Sequence, residues 1–339
     1  MSKSMFFAGI SFPKIPTFAF LGLAPLLLTG CAALQVRMGT RVYLAKTPVV
    51  AMSVRQAGEP GIAPGQKAAL VVEFPQPDGN RLFTEGAAQG KVMWRELEVI
   101  STVVTANQKG TVTLPEDPRL SDGKMPHVTV TVPSHPELRA ELDIPLRYDR
   151  SYSLDFNASN GAKGFDGSSG TDGAGGSTGS MDPEHPSAGG NGSNGGNGGD
   201  GQNGWPGGDA PDVEIQVAFR PGPHPLLQSV VLVGRQKDFF LIDPQGGALT
   251  VTADGGSGGA GGTGGRAGRG GSGGIGSPNG SSGLDGRSGS DGSRGRDGHG
   301  GSITVVYDPQ AKPYLSALHL SSRNGPHPAF IEKPMAPLW

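Results

Sequence analysis

Apolar and polar residues alternate in short runs between residues 35 and 156, most clearly in the stretch His-Val-Thr-Val-Thr-Val at 127–132. A period of two is typical of half-buried strands, and Gly, Pro, Asn and Asp separate the runs. The pattern predicts strands over residues 47–54, 67–74, 92–105, 111–114, 127–132 and 140–148. Short strands at this spacing predict an immunoglobulin-like β-sandwich, and no stretch has a convincing helical period.

A second pattern replaces the first beyond residue 156. Glycine recurs at every third position over residues 161–179, 189–207, 256–274 and 280–301. A left-handed extended helix has three residues per turn, so in that conformation glycine lines one edge of each stretch and lets another backbone approach closely. Strand-like runs at 151–156 and 213–219 flank the first array (161–208), and runs at 248–252 and 303–307 flank the second (256–301). Further strands are predicted at 226–233 and 239–242.

Each array is interrupted near its middle by turn-forming residues, at 182–186 and at 277–280. We therefore interpret each array as two antiparallel legs, which makes four legs of about 60 Å each at a rise of ~3.1 Å per residue. Three states are open to them: a bundle in which the legs hydrogen-bond to one another, a flexible linker, and a collagen-type triple helix. Proline is nearly absent from the arrays, although collagen needs it in quantity. The bundle resembles the glycine-rich antifreeze proteins of springtails and the glycine sandwiches at some phage tail-fibre tips.

Two features predict how the legs are arranged. The first array has one lysine and five acidic residues, whereas the second has five arginines and three aspartates, so we expect the two hairpins to lie side by side. Paired glycines are concentrated in the second and third legs, which predicts that these two legs are central and in contact. The glycines of these two legs that we expect to be structural are Gly195, Gly198, Gly258, Gly261 and Gly264.

The N-terminus predicts export. Lys3 and Lys14 precede a short apolar run at 15–28 that ends in Leu-Thr-Gly-Cys at 28–31. This ending resembles the lipobox of bacterial lipoproteins, and the resemblance implies that Cys31 is lipidated and becomes the first residue of the mature protein. Cys31 is also the one cysteine of the chain, so no intramolecular disulfide can form. Ala32 rather than aspartate follows it, which resembles an outer-membrane sorting signal.

Composition and motifs exclude several functional classes. A net charge of −2 gives no electrostatic reason to expect nucleic-acid binding. The nucleophile pattern G-x-S-x-G occurs at 255–259 and 270–274, but neither match precedes a predicted helix, and a glycine-saturated sequence produces such matches by chance. The four His-Pro pairs are dispersed and lack metal-ligand spacing. We therefore expect no catalytic residues, no metal and no cofactor.

These predictions combine into an all-β architecture: a signal peptide (1–30), an immunoglobulin-like β-sandwich (31–150), a strand-anchored four-leg glycine-rich region (151–311, with intervening strands at 211–253) and a C-terminal tail (312–339). The expected function is that of a lipid-anchored structural protein of the cell envelope, located at the outer membrane and acting as a scaffold, spacer or adhesive element. The alternative is a binding module whose sandwich recognises a polysaccharide or an envelope partner. A homotrimer is expected only if the arrays are of the collagen type.

Overall fold

The computed structural model describes residues 32–222 and 224–339. Strands make up most of the regular structure, which confirms the all-β prediction. The short helices are an α-helix at 32–37 and four 3₁₀ helices at Leu44–Lys46, Trp94–Glu96, Pro118–Leu120 and Pro309–Ala317. Contacts divide the chain into two compact units. Of the described residues, unit 1 contains 32–60, Lys67–Thr113 and Pro126–Ile144, and unit 2 contains the rest.

Unit 1 consists of two antiparallel sheets. Its strands are β1 (Ser53–Gln56), β2 (Lys67–Pro75), β3 (Arg81–Phe83), β4 (Glu98–Thr102), β5 (Thr105–Ala106), β6 (Thr111–Thr113), β7 (His127–Val132) and β8 (His135–Asp143). One sheet has the order β1-β2-β6-β5, with β3 also paired to β2, and the other has the order β4-β7-β8. The side chains of Leu70, Val72, Phe74, Val128 and Val130 are buried in this unit.

Three strand predictions in unit 1 are wrong in position. The strand predicted at 47–54 begins only at Ser53, since Leu44–Lys46 is a 3₁₀ helix. The strand predicted at 92–105 is divided by the 3₁₀ helix Trp94–Glu96 and by Val103, which has a positive φ of 68° that no regular strand contains. The strand predicted at 140–148 is β8, which starts at His135 because it forms a hairpin with β7.

Unit 2 contains two more sheets, and parallel pairing dominates where the glycine-rich stretches meet them. Its strands are β9 (Tyr152–Asp155), β10 (Val213–Arg220), β11 (Leu226–Val233), β12 (Gln236–Ile242), β13 (Leu249–Thr252), β14 (Ile303–Tyr307), β15 (Leu318–Ser321) and β16 (Ala329–Glu332). One sheet has the order β12-β11-β10-β14-β16, and the other has the order β15-β13-β9. β9 is parallel to β13, and β10 is parallel to β14.

The core of unit 2 lies among these strands. β10 buries Val213, Ile215 and Val217 at alternate positions, and Leu249 and Val251 of β13 are fully buried in the same cluster. Burying such side chains stabilises a fold by about 1.5–3 kcal/mol each relative to leaving them exposed. The strands that flank the glycine-rich stretches are therefore fixed by an apolar core.

The predicted tail is part of this fold. Residues 312–339 supply β15 and β16, which pair in parallel with β13 and β14. The last residues are also held: the Leu338 amide donates to Gln228 Oε1 at 2.9 Å, and Trp339 Nε1 donates to Asp122 Oδ2 at 3.1 Å. The runs 318–321 and 329–332 are short and lie in a proline-rich stretch, so the sequence pattern did not predict them as strands.

Candidate functional site

Four glycine-rich segments leave the sheets of unit 2 and form its largest repetitive surface. Each has a simple place in the chain: segment 1 (157–179) follows β9, segment 2 (187–212) precedes β10, segment 3 (254–276) follows β13, and segment 4 (279–302) precedes β14. Within a triplet, the first position is the repeating glycine of segments 1, 2 and 4, and the second and third positions follow it.

The segments are joined by hydrogen bonds between first-position glycine amides and backbone carbonyls. Segment 1 donates to segment 3 at every third residue from Gly161 to Gly179, at N···O distances of 2.7–2.9 Å. Segment 2 donates in the same way to segment 4, and segment 4 donates to segment 3. Segments 2 and 3 are also bonded directly, as in the bond from the Gly265 amide to the Gly199 carbonyl at 2.9 Å.

This bonding pattern defines the order of the segments. Segments 2 and 3 are bonded to each other and to both outer segments, whereas the described residues include no backbone bond between segments 1 and 4. The prediction that the second and third legs are central is therefore confirmed. Phe165 of segment 1 and Leu284 of segment 4 are exposed, as expected for outer segments.

The register of the strands continues into the segments. Leu249 of β13 pairs with Tyr152 of β9, a difference of 97 in residue number, and the Asp254 amide donates to Asn157 Oδ1 with the same difference. β14 and β10 differ by 90, and this value persists in the bond from the Ser290 amide to Asp200 Oδ1. The hydrophobic strands therefore align the segments that follow or precede them.

The predicted structural glycines all lie where a side chain would strike a neighbouring backbone. A Cβ added to Gly195 or Gly198 would overlap a carbonyl oxygen of segment 3. A Cβ added to Gly258, Gly261 or Gly264 would overlap a carbonyl oxygen of segment 4. Contact between segments 3 and 4 thus uses the first glycine of each pair in segment 3, such as Gly264, whereas the second glycine, such as Gly265, lies against segment 1 and donates to segment 2.

A second set of hydrogen bonds involves Asn and Asp side chains, a role that the sequence pattern did not predict. In segment 2 the third-position side chains accept from the second-position amides of segment 4, at 2.7–2.9 Å; these acceptors are Asn191, Asn194, Asn197, Asp200, Asn203 and Asp209. Asp285, Asp291 and Asp297 of segment 4 accept from glycine amides of segment 3. The signal that could have revealed them is the recurrence of Asn or Asp at every third residue in 191–203.

Hydrogen bonds and ion pairs lower the pKa of several carboxyl groups in and beside the segments. The Lys163 ammonium and the Thr263 amide lower the pKa of Asp166 to about 2. The Ser290 amide lowers the pKa of Asp200, and the Arg323 amide lowers that of Asp254. Each of these aspartates is stabilised in its charged form, because only the carboxylate accepts these bonds fully.

The two hairpins lie side by side, as predicted, but not for the predicted reason. The ion pairs of the segments are local: Lys163 Nζ lies 2.8 Å from Asp166, and the Arg294 guanidinium lies 2.7 Å from Asp297. Among residues 32–222 and 224–339, no ion pair joins the first hairpin to the second. Backbone and Asx hydrogen bonds hold the hairpins together.

Outside the segments, unit 2 has a cavity of about 490 Å³ between the edge strands β9 and β12. Tyr152 lines it, and burial raises the pKa of its phenol to about 12. The described lining contains no histidine or cysteine that could activate a nucleophile. Elsewhere in the described chain, no group of three or more His, Cys, Asp or Glu side chains has the geometry of a metal site.

Comparisons with known proteins give no family assignment: no protein-family model, curated protein or solved structure matches the chain. In the part of the chain that the structure describes, no helix is long and apolar enough to cross a membrane. Cys31, the predicted lipidation site, lies outside the described residues.

Proposed function

We propose that the four segments form a polyglycine-II bundle, and that this bundle gives the protein a structural role in the cell envelope as a spacer, scaffold or adhesive element. The supporting observation is the double set of hydrogen bonds, from glycine amides to carbonyls and from further amides to Asx side chains. A rod of this kind has a backbone-filled interior and about 60 Å of regular polar surface.

The number of hydrogen bonds and the anchored ends of the segments favour an ordered rod over a flexible linker. First-position glycine amides provide one bond per triplet, and in segment 2 the second-position amides, such as that of Gly196, add a second bond, to segment 1. The Asx acceptors in segment 2 raise the number to two per triplet in segment 4, and the flanking strands fix both ends.

The direction of the segments favours a bundle over a collagen-type triple helix. Segments 1 and 2 are antiparallel, since residues of rising number in one are bonded to residues of falling number in the other. A triple helix instead winds parallel chains with one glycine per turn at its axis. In the proposed bundle all four segments therefore come from a single chain.

Amide hydrogen exchange on the full-length protein in detergent tests the ordered rod. We expect slow exchange at the first-position glycines from Gly161 to Gly179, together with a far-ultraviolet circular dichroism signal of extended left-handed helix. Exchange at the rate of an unstructured peptide in all four segments would contradict the proposal, because a spacer made of flexible linker has no protected amides.

Membrane attachment through Cys31 is the second part of the proposal, and its support is the lipobox resemblance. The variant Cys31→Ser is expected to move the protein from the membrane fraction to the soluble fraction and to leave the signal uncleaved. Two acyl chains suffice for stable anchoring, whereas one gives marginal binding. Failure of the wild-type protein to incorporate labelled palmitate would refute this part alone.

The alternative, a sandwich that binds a polysaccharide or an envelope partner, has no comparable support in unit 1. Trp94 is only 4% exposed, and its Nε1 donates to the Glu85 carbonyl at 3.1 Å. Phe83 is half-buried on β3. The most exposed large apolar residues described in unit 1 are aliphatic: Leu34, Met38, Val50 and Ile100. The segments of unit 2, by contrast, carry exposed rings.

A further inference from the structure

Two aromatic side chains project from the first glycine hairpin. Phe165 is 69% exposed and Trp205 is 60% exposed, although the other exposed side chains of segments 1 and 2 are small or polar and the one further large apolar side chain described in this hairpin, Met181, lies in the turn. Neither ring has an aromatic partner in the described structure. Single exposed apolar side chains are normal, whereas grouped ones mark interaction sites, and these two rings lie on paired segments within one triplet of each other.

Both rings belong to one surface stripe. We define the aromatic stripe as the second-position residues of segments 1 and 2 between Ala162 and Thr171 and between Gly196 and Trp205. Their side chains face one another, because a Cβ added to Gly196 would lie 3.0 Å from Thr171 Oγ1, and a Cβ added to Gly199 would lie 3.0 Å from Ser168 Oγ. The stripe contains no charged residue.

The backbone register gives the separation of the rings. The Gln202 amide donates to the Phe165 carbonyl, and the Trp205 amide donates to the Ala162 carbonyl, so Phe165 and Trp205 are one triplet apart along the axis. A triplet of this helix rises about 9 Å. Pro206 follows Trp205 and restricts its backbone to an extended conformation, so the backbone that carries the ring is preorganised.

The third positions of segment 2, next in sequence to the second positions that belong to the stripe, carry amide donors. The Oδ1 atoms of Asn194, Asn197 and Asn203 each accept an amide of segment 4, which orients the side chain and directs Nδ2 away from that bond. Within the described residues these Nδ2 groups have no hydrogen-bond acceptor. Asn194, Asn197 and Asn203 thus form an asparagine row of donors along segment 2, which Asp200 interrupts between Asn197 and Asn203.

From this arrangement we propose that the aromatic stripe binds an uncharged, extended β-linked polysaccharide, whose sugar rings stack on Phe165 and Trp205 and whose hydroxyl groups accept from the asparagine row. This inference rests on the proposed function, since it needs ordered segments, and it specifies the adhesive partner. Amphipathic rings suit a ligand with an apolar face and polar edges. The neutral stripe and the neighbouring Asp200 and Asp209 disfavour nucleic acids and other polyanions.

Retention of the full-length protein on insoluble chitin and cellulose tests the proposal. We expect wild-type protein to bind at least one of them, and the double variant Phe165→Ala/Trp205→Ala to bind at least tenfold more weakly. The matched control is Ile275→Ala/Leu284→Ala, which removes two apolar side chains of similar exposure from the second hairpin and should bind like the wild type. Trp205→Leu keeps apolar bulk without a ring and should also weaken binding.

Amide exchange on the same samples separates the possible failures. If the wild-type glycine amides are unprotected, the proposed function fails. If they are protected and the wild type is retained on neither polysaccharide, or if the double variant binds like the wild type, the polysaccharide inference is overturned while the ordered rod stands. Retention on an anionic polymer such as DNA alone would also overturn it.

Discussion

The sheets and the glycine segments of unit 2 are continuous in sequence and in register, yet different forces hold them. In the sheets, side chains such as Ile215, Leu227 and Val251 are fully buried in an apolar core. In the segments the buried positions are glycines, and the contacts are between backbones and with Asx side chains. A shift by one triplet would preserve the backbone hydrogen bonds of the segments, so these bonds do not determine the register. The register of the segments must therefore be set by the apolar strands that flank them.

The largest expected effect is therefore in the sheets. Leu249 of β13 is fully buried in the core, and Leu249→Ala should lower the free energy of unfolding by about 2–5 kcal/mol through lost burial and a residual cavity. Because β13 leads into segment 3, we expect faster amide exchange at Gly256 and Gly259 as well. The control is Leu284→Ala, which removes an exposed side chain. If Leu249→Ala leaves the exchange rates of Gly256 and Gly259 unchanged, the segments do not depend on the strands for their order.

Next in size is a side chain placed inside the segments. Gly265 is buried, its amide donates to the Gly199 carbonyl, and an added Cβ would overlap the Ser168 carbonyl oxygen. Gly265→Val should cost about 2–4 kcal/mol from overpacking and lost backbone bonds. Ala260→Val, at an exposed position of the same segment, is the control. Thermal melting followed by circular dichroism should show a large shift for the first variant only.

Removing an Asx acceptor should have a smaller effect. Asn197 Oδ1 accepts the Arg287 amide at 2.8 Å, and Asn197→Ala leaves that amide to solvent. We expect a loss of about 0.5–1.5 kcal/mol, as for a typical net hydrogen bond. Substitution of an exposed serine without such a role, Ser169→Ala, gives the baseline. Equal stability of the two variants would show that the second set of bonds contributes nothing.

The smallest effect concerns pH. The pKa of Asp166 is lowered to about 2 from an ordinary value of 3.8, so the carboxylate contributes stability that is present above about pH 4 and is lost as the pH falls toward 2. Asp200 and Asp254 act in the same direction. Asp166→Asn retains an oxygen acceptor and should flatten the acid limb of a stability curve measured between pH 5 and pH 2. An unchanged limb would refute this contribution.

The sequence predicted the strands whose local pattern of apolar residues matches the burial that they have in the fold. β7, β11 and β14 occur at the predicted residues because each alternates or runs apolar between clear turns. β15 and β16 could not be predicted, since each is short and is stabilised only by its parallel partner in the sheet. Local pattern does not reveal pairing with a strand that is distant in the chain.

For the site, glycine spacing predicted the order of the segments, because the density of paired glycines reports how many neighbours a segment has. The opposite charges of the two arrays predicted that the hairpins lie side by side, which is correct. The expected reason is wrong, because the ion pairs lie within single segments. The Asx acceptors were visible as a repeat in segment 2, but their role depends on the offset of 90 residues to segment 4, which only the strand register provides.

The central claim is that backbone hydrogen bonds between segments 2 and 3 hold the glycine-rich region in a fixed register. Scalar couplings across hydrogen bonds, measured by NMR on the deuterated, isotope-labelled protein, test it most directly. The account predicts couplings from the amides of Gly262, Gly265 and Gly268 to the carbonyl carbons of Gln202, Gly199 and Gly196. Resolved signals for these glycines without such couplings, or couplings to carbonyls one triplet away, would contradict it.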